Sequence, residues 1–443
     1  MTKYRANSYH VQTQQRLGVH AEKFNFDVNN KLVQFPEEFK SVFPNAKLVL
    51  LGAGDWVFGW SSVHKRLAHL TDATGKNRHV YDPQFMRKDG SVDEEALLKR
   101  CREYDLDRSA FGTIMCSIDD VPDDAISFIF SPNKFHCDQL DRLLKNSKSK
   151  AVYVEKPMAI DRKELQRLDE LTRSNDKKIY FGDHYLFANV GLFALMGKHM
   201  PYKNLLTASS RELDKAIKSV KPLLRNIKKV EARNVFIGHK NLICGRNWLG
   251  EASSGGGVLL DLQVHLSDVF HALGFEIGEL TQVECQVRPR ELNSSYTGGE
   301  GDLTLGQYRP LMKCENLAED RAFMRGKTTS GAAFEFEVAQ FAASKDQANY
   351  IQLTDEDGKK LKLYFDTQKV QYLNEKDEVI GEVEQKIDAV LLMMHHALSY
   401  FHSDEDNAPM FYHEQRASIE FIEDVKRLYL GGNMLSEPER LGK

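Results

Sequence analysis

Leu48-Val49-Leu50-Leu51-Gly52-Ala53-Gly54 is the stretch on which the fold turns. Four apolar residues in a row read as a short buried strand, and the two glycines after it read as a tight turn with bare backbone. Between a strand and a helix, such a turn brings peptide N–H groups and a positive dipole end to one point, which suits a pyrophosphate. The helix is expected over 63–70. A third glycine usually follows the second by three residues, whereas Gly59 lies five after Gly54. Gly-x-Gly alone is equally consistent with a structural turn. The next strand, 79–82, ends in Asp82, a carboxylate placed to bind adenosine ribose hydroxyls and repel a 2′-phosphate. That favours NAD over NADP, with Arg87 and Lys88 as the residues that would accept the phosphate instead. The bland alternative for Asp82 is a strand-end turn residue.

Working outward, strands and helices alternate. Helices are expected at 94–104, 139–144 and 163–174, and strands at 126–130, 151–154 and 178–181. Alternation at this spacing indicates a parallel sheet covered on both faces, with ligands beyond the C-terminal strand ends. After Gly182 strand-like runs dominate: 230–238, 280–288, 332–343, 350–353, 361–365, 370–373 and 379–383. Helices are expected near 212–227 and 261–273, and at the end over 386–402 and 413–430. This reads as a second, α+β domain on an open, mainly antiparallel sheet. The division expected is an N-terminal extension (1–46, with a short helix over 36–42), a dinucleotide-binding α/β domain of Rossmann type (47–182), and a substrate and oligomerisation domain (183–443).

Composition narrows the classes. A net charge of −4 without a basic block argues against nucleic-acid binding. No stretch approaches the roughly 20 apolar residues of a membrane span, and the polar N-terminus lacks a signal core. A cytoplasmic location follows as the default. Six cysteines without a Cys-x-x-Cys pair read as reduced, buried thiols, with no metal site expected.

Two further segments carry chemistry. Ala151-Val152-Tyr153-Val154 delivers Glu155-Lys156-Pro157 to the strand edge where ligands sit. A lysine there can hydrogen-bond a substrate hydroxyl and stabilise a developing oxyanion; alone it would be read as a solvated side chain. Gly255-Gly256-Gly257 precedes Asp261 and His265, which share one helix face at a spacing of four. His265 has the proton affinity of a general base, and Asp261 could touch substrate hydroxyls or orient the ring. The alternative is a histidine capped in the core.

Phe128-Ile129-Phe130-Ser131-Pro132-Asn133-x-x-His136, then Val154-Glu155-Lys156-Pro157, then Gly255-Gly256-Gly257-x-x-x-Asp261-x-x-x-His265 resembles the glucose-fructose oxidoreductase and inositol dehydrogenase family. Glu319-Asp320-Arg321-Ala322 is similar to that family as well. The resemblance spans about 47–430. It implies NAD or NADP as cofactor, held by Gly52, Ala53, Gly54, Asp55, Trp56, Asp82, Ser131, Pro132, Asn133, His136, Glu155 and Lys156, and a catalytic group of Lys156, Asp261 and His265. Phe181-Gly182-Asp183-His184-Tyr185-Leu186, with Gln263-x-His265, is in turn similar to glucose-6-phosphate dehydrogenase. That likeness implies Asp183 as the partner of His265, and His184 and Tyr185 as sugar-phosphate contacts. Two features depart from it. Ala188 stands where a phosphate-binding lysine is expected, and Gly52-Ala53-Gly54-Asp55 replaces the Gly-x-x-Gly-Asp turn. Arg246 is a candidate to replace the lost charge.

The expected activity is hydride transfer between a nicotinamide and a secondary alcohol of a sugar, sugar phosphate or cyclitol. The alternatives are a glycosidase that oxidises its substrate transiently on bound NAD, and a non-catalytic dinucleotide sensor. The open sheet suggests a homodimer or homotetramer.

Overall fold

The computed structural model describes residues 40–54, 56–59, 61–71, 75, 77–146, 148–196, 225–235, 254–287, 318–340, 347–384, 388–404 and 408–431. The expected helices over 36–42 and 212–227 lie wholly or largely outside these residues, as do Asp55 and Arg246.

Six parallel strands form the first sheet: β1 (Leu48–Leu51), β2 (Arg78–Tyr81), β3 (Thr113–Ile114), β4 (Ala125–Ile129), β5 (Ser149–Glu155) and β6 (Lys178–Gly182), in the order β3-β2-β1-β4-β5-β6. This is the doubly wound Rossmann order, which reverses between β1 and β4 and opens a crevice there. All of β1 and β4 is buried, as strands covered on both faces must be. The connecting helices are α1 (Val63–Thr71), α2 (Glu94–Tyr104), α3 (His136–Lys145) and α4 (Arg162–Arg173). Asp93 and Asp161 cap α2 and α4 by accepting from first-turn amides.

After a short α5 (Val190–Met196) comes the second sheet, of β7 (Lys229–Val235), β8 (Ile277–Val287), β9 (Glu319–Thr328), β10 (Ala333–Ala339), β11 (Ala348–Thr354), β12 (Lys360–Tyr364), β13 (Lys369–Leu373) and β14 (Val379–Glu384). Its order is β14-β13-β12-β11-β7-β10-β9-β8. Only the β7–β10 pair is parallel, so the sheet is mainly antiparallel, as expected. Alternation sorts its faces. Ala232, Phe334, Phe336, Met324 and Ile351 point inward onto α6 (Val264–Ala272) and the last helix, α8 (Tyr412–Gly431), with Phe270 and Phe421 against Phe334 and Phe336. The outer face carries a ladder of charge, with Arg233, Arg321 and Arg325 paired to Glu337 and Glu335.

The C-terminal helices are shared between the sheets. Helix α7 (Ala389–His402) packs on α1 and β6, while α8 packs on α4, α6 and β8. Tyr180 hydrogen-bonds His396 at 2.8 Å, and Arg66 of α1 pairs with Asp388. Met410 forms a parallel bridge to Tyr180 on the outer edge of β6.

Two sequence expectations need correction. β9 was not foreseen as a strand. Among the cysteines, Cys101 and Cys137 are buried, but Cys116 is exposed and Cys285 only partly covered. The helix expected over 63–70 runs from Val63 to Thr71, and turns held by the Gly54 and Gly59 carbonyls fill the gap after the glycine turn.

Candidate active site

The C-terminal edge of the first sheet gathers the residues of interest. Gly52 follows β1 with φ +100°, and a Cβ there would lie 2.9 Å from the Phe130 backbone where β1 and β4 pass. Among the described residues nothing lies within 4 Å of a Cβ built on Gly54, so a pyrophosphate could approach the bare backbone on that side. Asp82 ends β2 and receives the Ala53 amide at 2.8 Å and the Gln84 amide at 2.9 Å. It therefore anchors the glycine turn, and its remaining lone pairs are what a ribose could use. The Ala53 amide is correspondingly committed to Asp82. Trp56 leans on His184, ring centroids 5.0 Å apart.

Past β4, the Ser131-Pro132-Asn133 turn joins the two halves of the site. Ser131 donates to Gln139 at 2.7 Å, and Asn133 donates its side-chain amide to the Gly255 carbonyl at 2.7 Å. His136 is buried, with Nδ1 2.9 Å from the Pro157 carbonyl and Nε2 2.7 Å from that of Ser131. The buried ring lies between these two carbonyls, one N–H of the neutral imidazole donating to one of them, and so joins the Ser131 turn to the Glu155-Lys156-Pro157 segment. The Lys156–Pro157 peptide is cis. Glu155 accepts from the Tyr153 hydroxyl at 2.8 Å, and burial pushes its carboxyl up to about 7 against the pull of Lys156.

Two acid–base pairs follow, each joining the sheet edge to the segment 259–272. Lys156 Nζ donates to the Asp261 carbonyl at 2.7 Å and to its Oδ1 at 3.0 Å, while Gln340 donates to Oδ2 at 3.2 Å. Asp261 lies in a π-helical turn, Leu259–Gln263, that runs into α6; single π turns of this kind recur at functional sites. Gly257, at φ +99°, enters that turn with no room for a side chain, because a Cβ would meet Glu319 Oε1 at 2.4 Å. Glu319 in turn accepts the Leu259 amide.

The second pair is His265 and Asp183, with Nδ1 2.6 Å from Oδ1. Burial lowers the proton affinity of His265 and Asp183 raises it; burial prevails, so the resting ring is neutral with its hydrogen on Nδ1. Burial alone would push the Asp183 carboxyl up. Its pairing with His265, with a further interaction with Asp268, holds it well below the usual carboxylate range. Nε2 of His265 is then the basic nitrogen. Asp183, His184 and His265 bring ligand-type atoms within 4.8 Å of one another. The short Asp183–His265 hydrogen bond commits Nδ1 and Oδ1 to each other.

Tyr185 lies flat on His265, centroids 4.0 Å apart and planes at 14°. Its hydroxyl receives a bond from Asn349 at 3.0 Å, so it is the ring face that meets the imidazole. Burial lowers the His184 imidazole to about 3, and its Nδ1 has no partner among the described residues. Neither residue presents a charge that would hold a phosphate. Gln340, Asn133 as a cross-link, and Asp268 behind Asp183 were not picked out as such from sequence. Asp268 stands three residues after His265, a spacing that puts both on one helix side.

Residues 91–183 match the model of the GFO_IDH_MocA family, an oxidoreductase family with an NAD-binding Rossmann fold. The family expected from the motifs is the one this match returns. No curated protein matches the chain by sequence. Among solved structures, similar folds include aldose-aldose oxidoreductase from Caulobacter crescentus, a glycerol complex (14% identity, 88% of this chain and 98% of that one, TM-score 0.58). Levoglucosan dehydrogenase, solved with NADH and levoglucosan, is another (13% identity, 86% and 95%, TM-score 0.57). A third is a 3-ketoreductase from Actinomadura kijaniata with NADP and TDP-benzene (14% identity, 86% and 97%, TM-score 0.56).

Proposed function

We propose that this chain is a nicotinamide-dependent oxidoreductase acting on a secondary alcohol, or the matching ketone, of a sugar or cyclitol. The observation that carries this reading is the meeting of Lys156–Asp261 and His265–Asp183 at the strand edge that also bears the open Gly54 backbone. Gly52, Gly54, Asp82 and the Ser131 turn suit a dinucleotide, and the Asp82 carboxylate favours NAD over NADP. The nicotinamide, when bound, supplies the hydride acceptor or donor. The protein's own part is the proton. His265 Nε2 takes it from the hydroxyl, and Asp183 stabilises the imidazolium that results. Lys156 leaves part of its contact with Asp261 to donate to the substrate oxygen as negative charge builds there. Asp261 and Gln340 are set to receive and give hydrogen bonds to neighbouring hydroxyls.

With Ala188 at the lysine position and a neutral His184, an unphosphorylated substrate fits better than a phosphorylated one. A homodimer or homotetramer would pack through the outer face of the second sheet, and a cytoplasmic enzyme would draw on the soluble nicotinamide pool. The same residues could serve transient oxidation in a glycosidase, but no feature of the site favours it. The test is net NADH formation with polyols and sugars, for the natural protein and for His265→Ala and Lys156→Ala. Turnover is expected to fall about 10²–10⁴-fold in each, with NAD affinity nearly unchanged. Unaltered turnover would overturn the assignment.

A further inference from the structure

We propose that Asp268 is a positioning residue for His265: a neutral carboxylic acid, buried behind the Asp183–His265 pair, that gives its proton as a hydrogen bond to the Asp183 carboxylate. The inference deepens the reading above and rests on it for the role of His265.

The case begins with donors. Asp183 and Asp268 are both fully buried, and their carboxyl groups interact directly, close enough to share a proton. Asp183 Oδ1 receives Nδ1–H of His265, and the Ser418 hydroxyl of α8 meets Asp268 Oδ1 at 2.5 Å. The other oxygen of each, Oδ2, has no N–H or hydroxyl partner among the described residues. Two carboxylates in contact repel, and neither orphan is satisfied unless a proton lies between them. One carboxyl must carry that proton.

Charge decides which. Facing His265 and Asp183 are Lys156, Asp261, His184, Tyr185 and, from β5, Glu155 with Tyr153. Facing Asp268 are Asp183, Ser418 and, on α8, Glu414. Asp183 therefore has two N–H donors, the His265 ring and the Tyr185 amide, to hold its negative charge, whereas Asp268 has only a hydroxyl and two acids. Burial, followed by the charge of Asp183, pushes Asp268 well above its ordinary value. The chain of bonds runs from α8 through Asp268 and Asp183 to the ring that takes the substrate proton. By giving Asp183 a third hydrogen bond, beside those from His265 and the Tyr185 amide, Asp268 spreads its negative charge and moderates the basicity passed on to His265.

Two substitutions and one spectrum test this. Asp268→Asn keeps the shape and supplies an N–H to Asp183, so turnover should stay within a few-fold and the acid limb of the kcat/KM profile should stay in place. Asp268→Leu supplies no donor. It should concentrate charge on the Asp183–His265 bond and move the acid limb to higher pH by about half a unit to one unit, with KM little changed. If Asp268 were ionised, Asp268→Asn would remove a charge and move the limb to lower pH by about a unit or more, which would overturn the proposal. The infrared difference spectrum between the natural protein and Asp268→Asn at neutral pH should show loss of a protonated-carboxyl carbonyl band. Its absence overturns the proposal even if Asp268→Leu does not fold. Should that band be present while His265→Ala keeps full turnover, the proton on Asp268 stands and the reading of His265 fails.

Discussion

Lys156–Asp261 and His265–Asp183 are built alike and buried differently. Each joins a residue at the end of a first-sheet strand to one on the segment 259–272, at 3.0 Å and 2.6 Å. The side chains of the lysine pair remain 12% and 17% exposed, those of the histidine pair 5% and 0%. The first pair can be opened by an incoming hydroxyl, since water already reaches it. The second is sealed and backed by further carboxyl and hydroxyl groups, so its geometry persists whether or not substrate is present. On the proposed function, one pair would trade partners during binding while the other keeps a fixed orientation.

The largest effect should come from breaking the sealed pair. Asp183→Asn removes the charge that stabilises imidazolium and favours the wrong tautomer, so kcat should fall about 10³–10⁴-fold with a smaller change in KM. A fall of less than tenfold in a single-turnover measurement would mean that His265 does not depend on Asp183.

Acid should single out the buried side next. Burial, the first cause in each, lowers His64, His184 and His396 to about 3 and His395 to about 4. Unfolded, these rings take up protons near 6.5, so their stability contribution is complete above that pH and drains as pH falls towards those folded values. Each can add a slope of up to about 1.4 kcal/mol per pH unit. Burial raises Glu155 and Glu164 to about 7, which works in the opposite sense between about 7 and 4.5 and offsets part of the loss. The urea midpoint should therefore decline below pH 6.5 and fall most steeply below about 4.5. A midpoint level from pH 7 to 4 would contradict the buried neutral histidines.

The smallest effect belongs to the open pair's support. Gln340→Leu removes one hydrogen bond to Asp261, about 1 kcal/mol, so KM should rise by roughly two- to fivefold while kcat changes less than twofold. An equal fall in kcat would show that Asp261 is held by Gln340 for chemistry and not for binding.

The first sheet was legible in sequence because its strands are covered on both faces and read as unbroken apolar runs. β9 was not. Its inward positions include the small Ala322 and Gly326; a Cβ at Gly326 would run into the Glu279 backbone carbonyl and the Phe334 ring. The hydrophobic signal of the pair thus sits almost wholly on β10. Lys156, Asp183, Asp261 and His265 were readable because each stands in a short phrase with its spacing intact. The links between phrases were not, since Asn133 to Gly255, Gln340 to Asp261 and Ser418 to Asp268 join residues 79 to 150 positions apart. Tyr185 shows the limit from the other side, because its motif suggested a polar contact and the fold turned its hydroxyl away towards Asn349.

The bridge from Met410 to Tyr180 has a consequence for the birth of the molecule. On the ribosome, β6 emerges with its outer edge bare, and the residues that close that edge are about 230 positions away, on the order of ten to fifty seconds of synthesis. Helix α7, which covers one face of β6, arrives only shortly before them. Until then the nascent chain displays an apolar strand with open hydrogen-bonding groups, the kind of surface that pairs with neighbouring polypeptides. The same late clasp that locks the finished protein makes its synthesis dependent on protection from such neighbours.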